Sequence, residues 1–180
     1  MENNGLQWII LEYKGVLIML SFCGQDRVIL DANGRLKLSP RVISDFREHG
    51  GFEIVLHCLP EGALALYPED IYLRMRQNES NPAEKAAQSM VFRRMMRRFG
   101  ALSKSERITA QGRITIPLPY REYAVLNPKE DVVVVGCEIG VEVWNAKRWA
   151  GEVEMMNKHF REKGEREMSS DLMSDIEESR

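Results

Sequence analysis

Asp31-Ala32-Asn33-Gly34-Arg35-Leu36-Lys37-Leu38 and Thr109-Ala110-Gln111-Gly112-Arg113-Ile114-Thr115-Ile116 are two versions of one phrase, with their glycines 78 residues apart. Each Gly-Arg enters an alternating apolar/polar stretch that ends at proline, Pro40 in the first case, Pro117 and Pro119 in the second. Each is followed by an apolar run closing on an aromatic, Leu64-Ala65-Leu66-Tyr67 and Val141-Glu142-Val143-Trp144. From glycine to aromatic the distances are 33 and 32 residues. A motif that keeps its internal spacing signals an internal duplication. A duplicated unit with one exposed arginine per copy points to a two-fold symmetric binding surface more than to a single catalytic pocket.

Outward from the first turn, Arg27–Leu30 and Arg35–Leu38 are predicted to form a hairpin, with Asn33-Gly34 supplying residues that tolerate positive φ. A short helix follows over Arg41–Glu48, with Val42, Ile43 and Phe46 on one face and Gly50-Gly51 as its stop. Phe52–Cys58 and Ala63–Tyr67 are paired strands around a Pro60-Glu61-Gly62 turn, and Pro68-Glu69-Asp70 opens a helix. One middle helix is expected from Asn81, a capping residue, through Pro82 and a Met90/Val91/Met95 stripe to Gly100. The second half repeats the plan: strands Glu106–Thr109 and Arg113–Ile116, a helix Pro119–Val125, and strands Asp131–Cys137 and Val141–Trp144. A helix then starts at Ala146, with Trp149, Val153 and Met156 at i, i+4, i+7 spacing. Beyond about Lys163 glutamate and serine dominate, and fraying or disorder is expected.

The 180 residues, 44% hydrophobic and 29% charged, suit one domain or two small ones. The net charge of −2 is unevenly spread. Residues 152–180 hold nine acidic and five basic side chains; the remainder holds 18 and 20, so a mildly basic body carries an acidic tail. Cys23, Cys58 and Cys137 are odd in number and far apart, as for buried free thiols in a reducing cytoplasm. Residues 1–18 lack the basic start of a signal peptide, and Glu12 and Lys14 interrupt their apolar runs, so no membrane span is expected. They are either an extra strand or an extension, dispensable for folding, and Met19 is a candidate initiator.

No enzyme motif is present. His49, His57 and His159 lie in no Cys, Ser or carboxylate context, and there is no Gly-x-Ser-x-Gly, phosphate-binding glycine loop or His-Glu-x-x-His. Glu61 and Glu69 form no acid/base pair. No catalytic residue, metal site, cofactor or small-molecule substrate is therefore expected. The Gly-Arg turns carry more. A guanidinium at the start of the outgoing strand either braces the turn or grips phosphate or a guanine edge. Lys37 shares a strand face with Arg35, and Thr115 holds the corresponding place beside Arg113. Arg93, Arg94, Arg97 and Arg98 form a second basic patch, open to three uses: facing DNA, lying solvated, or pairing with the acidic tail or a neighbouring subunit.

Taken in order, these residues resemble the MraZ family of bacterial transcriptional regulators, over roughly residues 19–160. The resemblance rests on Phe22-Cys23-Gly24, Asp31-Ala32-Asn33-Gly34-Arg35-Leu36, Leu64-Ala65-Leu66-Tyr67-Pro68, Asn81-Pro82 before an arginine-rich helix, and Gln111-Gly112-Arg113-Ile114-Thr115-Ile116-Pro117. Arg121-Glu122-Tyr123-Ala124 and Val143-Trp144 with Arg148-Trp149 complete the set. It implies an α+β fold of tandem AbrB-like swapped-hairpin units, closing a pseudo-two-fold β-barrel core flanked by helices. It divides the chain into an extension (1–18), a first SpoVT-AbrB-like domain (22–71), linking helices with the arginine cluster (72–100), a second such domain (101–147) and a C-terminal helix with acidic tail (148–180). The implied function is repression of the division and cell-wall gene cluster, its own gene included. Double-stranded DNA with promoter direct repeats would be the partner, and a ring-shaped homo-oligomer in the cytoplasm, at the nucleoid, the acting form. Arg35, Lys37, Arg113 and Thr115 would contact DNA; Asp31, Gly34, Thr109 and Gly112 would orient the loops. The chain departs from the family at Thr109, where aspartate is usual, and at Ser39, where proline is usual. An AbrB-like protein-interaction module, antitoxin or scaffold, is the alternative.

Overall fold

The computed structural model describes residues 12–13, 16–17, 21–76 and 82–178, with side chains over 21–76 and 82–166. Ten strands and six helices are present among the described residues. The strands are β1 (Glu12–Tyr13), β2 (Val16–Leu17), β3 (Gln25–Ile29), β4 (Arg35–Lys37), β5 (Glu53–Cys58), β6 (Leu64–Pro68), β7 (Ser103–Arg107), β8 (Arg113–Thr115), β9 (Asp131–Gly136) and β10 (Val141–Asn145). The helices are α1 (Pro40–Glu48), α2 (Glu69–Arg76), α3 (Pro82–Gln88), α4 (Met90–Ala101), α5 (Leu118–Ala124) and α6 (Ala146–Glu178). The fold is α+β with antiparallel sheets.

The two phrases do not make two local hairpins. The turns close, with Gly34 N–H donating to Asp31 O (3.0 Å) and Gly112 N–H to Thr109 O (2.8 Å), but the flanking strands part. β3 pairs with β9 and β7 with β5, each in the other half of the chain. β4 and β8 leave both partners and pair with each other, Leu36 opposite Ile114. Those two residues are 78 apart, the spacing of the glycines. The register therefore has a local two-fold centred on Leu36 and Ile114. Alternation fixes which face of a strand is apolar and leaves its partner open, which is why the hairpin expectation fails here.

The main sheet has six strands in the order β3-β9-β10-β6-β5-β7. It is open, not the closed barrel expected: β3 and β7 are its edges, and the residues that follow each turn join the separate β4–β8 ribbon instead of closing the sheet. Ribbon, α1 and α5 cover one face. Leu36, Leu38, Ile114 and Ile116 meet Ile54, Leu56, Leu64, Leu66, Val132, Val134, Val141 and Val143 in a single core. Each such aliphatic side chain contributes about 1.5–3 kcal/mol on burial. Ser39 has a local reason to be there. Its Oγ accepts from Val42 N–H as the cap of α1 and donates to Asp26 Oδ2 (2.7 Å), and Pro40 takes the first helical position.

The other face carries α2, α4 and α6. On β5, His57 points away from its core neighbours Leu56 and Cys58, as alternation requires. It is buried, stacks on Phe99 of α4 (5.5 Å), and sits 2.7 Å from Ser103 Oγ, which lies 2.7 Å from the Tyr72 hydroxyl of α2. Burial, helped by the Arg98 charge, pushes the His57 pKa below its ordinary 6.5. The unfolded chain then binds the proton first, so this stabilisation is complete above pH 6.5 and is lost as pH falls below it. Melting temperature is expected to fall more between pH 7.5 and 5.5 for the natural chain than for His57→Gln. Parallel curves would contradict it.

Further expectations are corrected or bounded. The single middle helix is two, because Ser89 adopts extended dihedrals and its Oγ accepts from Phe92 N–H (3.2 Å), starting α4 afresh. Gly100 lies within α4 rather than ending it. The C-terminal segment does not fray at Lys163: α6 continues to Glu178, with Lys158–Glu162 and Arg166–Glu162 pairs along it. The Asn81 cap, Trp8–Leu11 and Met19 lie outside the described residues. β1 and β2 pair with each other, apart from the main sheet.

Candidate nucleic-acid interface

The β4–β8 ribbon is three residue pairs long, and its two faces differ completely. Leu36 and Ile114 point into the core. Arg35 faces Thr115 across the strands and Lys37 faces Arg113, so all four alternate outward and all four are exposed. Directly opposite residues share a face, and diagonal neighbours such as Arg35 and Arg113 stand about 7–8 Å apart. The outcome is a short basic plate with three cations and one hydroxyl.

Reciprocal bonds hold the plate. Ile116 N–H donates to Gly34 O (2.8 Å), and Leu38 N–H donates to Gly112 O (2.9 Å). Each turn is thus tied by the strand end of the other. The Lys37 ammonium also donates to the Gln111 carbonyl. Gly34 and Gly112 have φ of +74° and +72°, a region that L side chains rarely adopt. A Cβ would also press on neighbouring side chains that would have to move: on Gly112 it would sit 2.0 Å from Ile43 Cδ1, and on Gly34 2.7 Å from Arg121 Nε. Arg121 itself donates to Ile116 O (3.0 Å), so it packs under one turn and anchors the strand of the other.

The bracing of the two turns is unequal. Asp31 Oδ1 accepts from both Asn33 and Arg35 N–H at 2.8 Å. The Arg35 amide, outweighing the effect of desolvation, holds the Asp31 carboxyl below its usual range; the Asn33 amide and the Arg35 and Arg113 charges add to this. Its role is toward the backbone. Thr109 does the corresponding task with a neutral hydroxyl, accepting from Arg113 N–H at 3.1 Å. A carboxylate makes a stronger, charge-assisted bond. Thr109→Asp is expected to stabilise the chain by about 1 kcal/mol, read as a raised melting temperature. A lowered one would show that the second turn is not built like the first.

Arg93, Arg94, Arg97 and Arg98 are not part of this plate. They lie on α4, which packs on the His57 face of the sheet, while the ribbon packs on the Leu56 face. The sheet stands between them. Sequence reading missed Arg121 and Arg148 as supports. Both sit in the quoted motifs, but their acceptors are backbone carbonyls, Ile116 for one, Gly62 (3.0 Å) and Tyr123 for the other, and no pattern of side chains signals those. The His57–Ser103–Tyr72 cluster was hidden because its members are 31 and 46 residues apart. Burial pushes the Cys58 and Cys137 thiols up to about 11, so both stay protonated near neutral pH. Among the described residues no group of three His, Cys, Asp or Glu could hold a metal ion, and no helix is long and apolar enough to cross a membrane.

Comparison with known proteins gives this geometry its relatives. Residues 106–171 match the family described as "MraZ protein, putative antitoxin-like". Proteins named Transcriptional regulator MraZ are similar over most of the chain. That of Heliobacterium modesticaldum is 29% identical over 84% of this chain and 99% of its own. That of Frankia alni is 33% identical over 80% and 94%, and that of Lachnoclostridium phytofermentans 33% over 71% and 84%. With identities above 30% sustained over nearly the whole of such relatives, the chain belongs to the MraZ family.

Proposed function

We propose that the chain is a DNA-binding transcription regulator whose contact surface is the β4–β8 ribbon. The observation that carries this reading is the exposure of Arg35, Lys37, Arg113 and Thr115 on one face of a strand pair whose other face is locked in the core. A major groove is about 12 Å wide and admits a two-stranded ribbon. Arginine reads guanine O6 and N7 bidentately, while lysine and threonine contact phosphate. Asp31 and Thr109 orient the turns. The two halves, 22–71 and 101–147, act as AbrB-like swapped-hairpin units whose two-fold ribbon is the DNA-facing element.

In this reading the target is a set of direct repeats upstream of the division and cell-wall gene cluster, the chain's own gene included, and the effect is repression. One plate offers three cations, which is modest, so linked copies in a ring supply avidity on repeated boxes. Gel shift with the DNA upstream of its own gene tests the reading. A complex that survives excess scrambled duplex is expected; equal loss to scrambled DNA would overturn sequence-specific regulation. The antitoxin-like description of the family and the long acidic α6 favour a second reading, a module that binds a partner protein. It predicts no DNA complex and a partner held through α6.

A further inference from the structure

α2 and α4 leave a groove between them that the fold itself does not fill. Phe92, Met95, Met96 and Phe99 recur at i, i+3, i+4 and i+7, so they form one stripe of α4. Met75 and Arg76 of α2 meet that stripe, and together they line a groove of about 360 Å³. Neither helix has a fully buried residue, and Met75, Met95 and Met96 are 49%, 37% and 36% exposed. The stripe is spent on the sheet at Phe99, which stacks on His57, and stays half-open elsewhere. Small-molecule sites span roughly 300–1,000 Å³ and are mostly apolar with a few polar groups. This groove has that size and that lining.

Arg76 is the single charge in the lining. Its guanidinium carbon lies 4.0 Å from the centre of the Phe99 ring. The stack occupies a face of the planar cation and leaves its edge, where the N–H donors lie, open. Among the described residues no carboxylate pairs with it. An open guanidinium edge meets a carboxylate through two parallel, charge-assisted bonds. The walls beside it suit a flexible apolar body, because methionine is unbranched and polarizable and repacks around irregular shapes. With no acid in the lining, a cationic amphiphile finds no partner there.

We propose that this groove binds an acyl-chain carboxylate, its head on the Arg76 edge and its chain among Phe92, Met95 and Met96. The site lies on the face of the sheet opposite the ribbon, so it goes beyond the DNA reading and does not depend on it. Occupancy reports at His57. That imidazole faces Ser103 of β7, Tyr72 and Arg76 of α2, and Arg98 of α4, none of them acidic. Burial lowers its pKa first, and the Arg98 and Arg76 charges add to this. A carboxylate seated on Arg76 offsets part of that positive field, so His57 titrates at a higher pH in the complex. By linkage the ligand binds more tightly as pH falls through that range.

Calorimetric titration of the full chain with decanoate, decan-1-ol and decylamine, each below its micelle concentration, tests the site. Decanoate should bind saturably, decanol about tenfold more weakly for want of the charge-assisted bonds, and decylamine more weakly still. Arg76→Gln should bring decanoate down to the level of decanol and leave decanol unchanged. Met95→Trp, which fills the groove, should remove both. Circular dichroism melts of the two variants establish that they are folded. The His57 ring signals in NMR should titrate at higher pH with decanoate and stay in place with decanol. No binding of decanoate, equal binding of decanoate and decylamine, or undiminished decanoate binding by Arg76→Gln would overturn the site. So would bound decanoate that leaves the His57 titration unmoved, which places the ligand elsewhere. Adhesion to anionic vesicles without binding of soluble decanoate would assign the face to a lipid surface instead.

Discussion

Gly136→Ala is expected to remove most of the stability of this chain. Gly136 ends β9, where its N–H donates to Gly24 O (2.8 Å) and the backbone of Phe22 lies directly against its Cα. A Cβ there would meet Phe22 O at 1.8 Å and Phe22 C at 2.2 Å. Those atoms are backbone and cannot swing aside. Phe22 is itself buried, its ring edge-on to Phe46 at 4.9 Å, and its amide donates to Asp45 Oδ2. Relief requires peeling residues 22–24 from β9 and withdrawing Phe22 from the core. Losses above about 4 kcal/mol come from such mechanisms, against a total of about 5–15 kcal/mol for a domain. Urea denaturation should show a collapsed midpoint or no soluble protein. Gly164→Ala, on the open surface of α6, should leave it unchanged or raised. Equal midpoints for Gly136→Ala and the natural chain would contradict the packing at this edge.

The second large effect concerns binding. Arg35→Ala/Arg113→Ala is expected to abolish the specific DNA complex while leaving the fold intact. Both side chains are exposed and the ribbon bonds are made by backbone, so folding loses little. A bidentate arginine–base contact contributes about 1–3 kcal/mol. Two per chain correspond to roughly 30- to 20,000-fold in affinity, at 1.4 kcal/mol per tenfold. Anisotropy titrations of a labelled upstream duplex, with melting curves alongside, measure this. A folded double variant that binds within a factor of three of the natural chain would remove the ribbon from the interface.

What the sequence disclosed and what it withheld follow from physical causes. Gly34 and Gly112 were legible because a positive φ at a tight turn has few other solutions, and their spacing named Leu36 and Ile114 as corresponding residues. The strands β5, β6, β9 and β10 were legible as apolar runs bounded by turn residues. Pairing was not. Arg27–Leu30 and Arg35–Leu38 alternate in a way that suits a hairpin as well as two separate ladders, and only the competition for β9 and β8 decides. The break at Ser89 was concealed inside a stretch of good helix formers, where a serine side chain competing for Phe92 N–H is the sole local cause. For the basic residues, sequence supplied the chemistry of Arg35 and of Arg93–Arg98 alike. The alternation of Leu56 and His57 on β5 then put them on opposite sides of a sheet.

The measurement closest to the central claim is the salt dependence of DNA affinity. If three cations per plate, Arg35 and Arg113 on base edges and Lys37 on phosphate, together displace the counterions condensed on the duplex, log affinity should fall against log salt with a slope of about −3 per bound chain. Anisotropy titrations of the upstream duplex between 50 and about 200 mM salt give that slope directly. The account predicts a steep line that flattens by about one unit in Lys37→Ala. A flat line for the natural chain, or an unchanged slope in that variant, would contradict a basic ribbon as the surface that meets DNA.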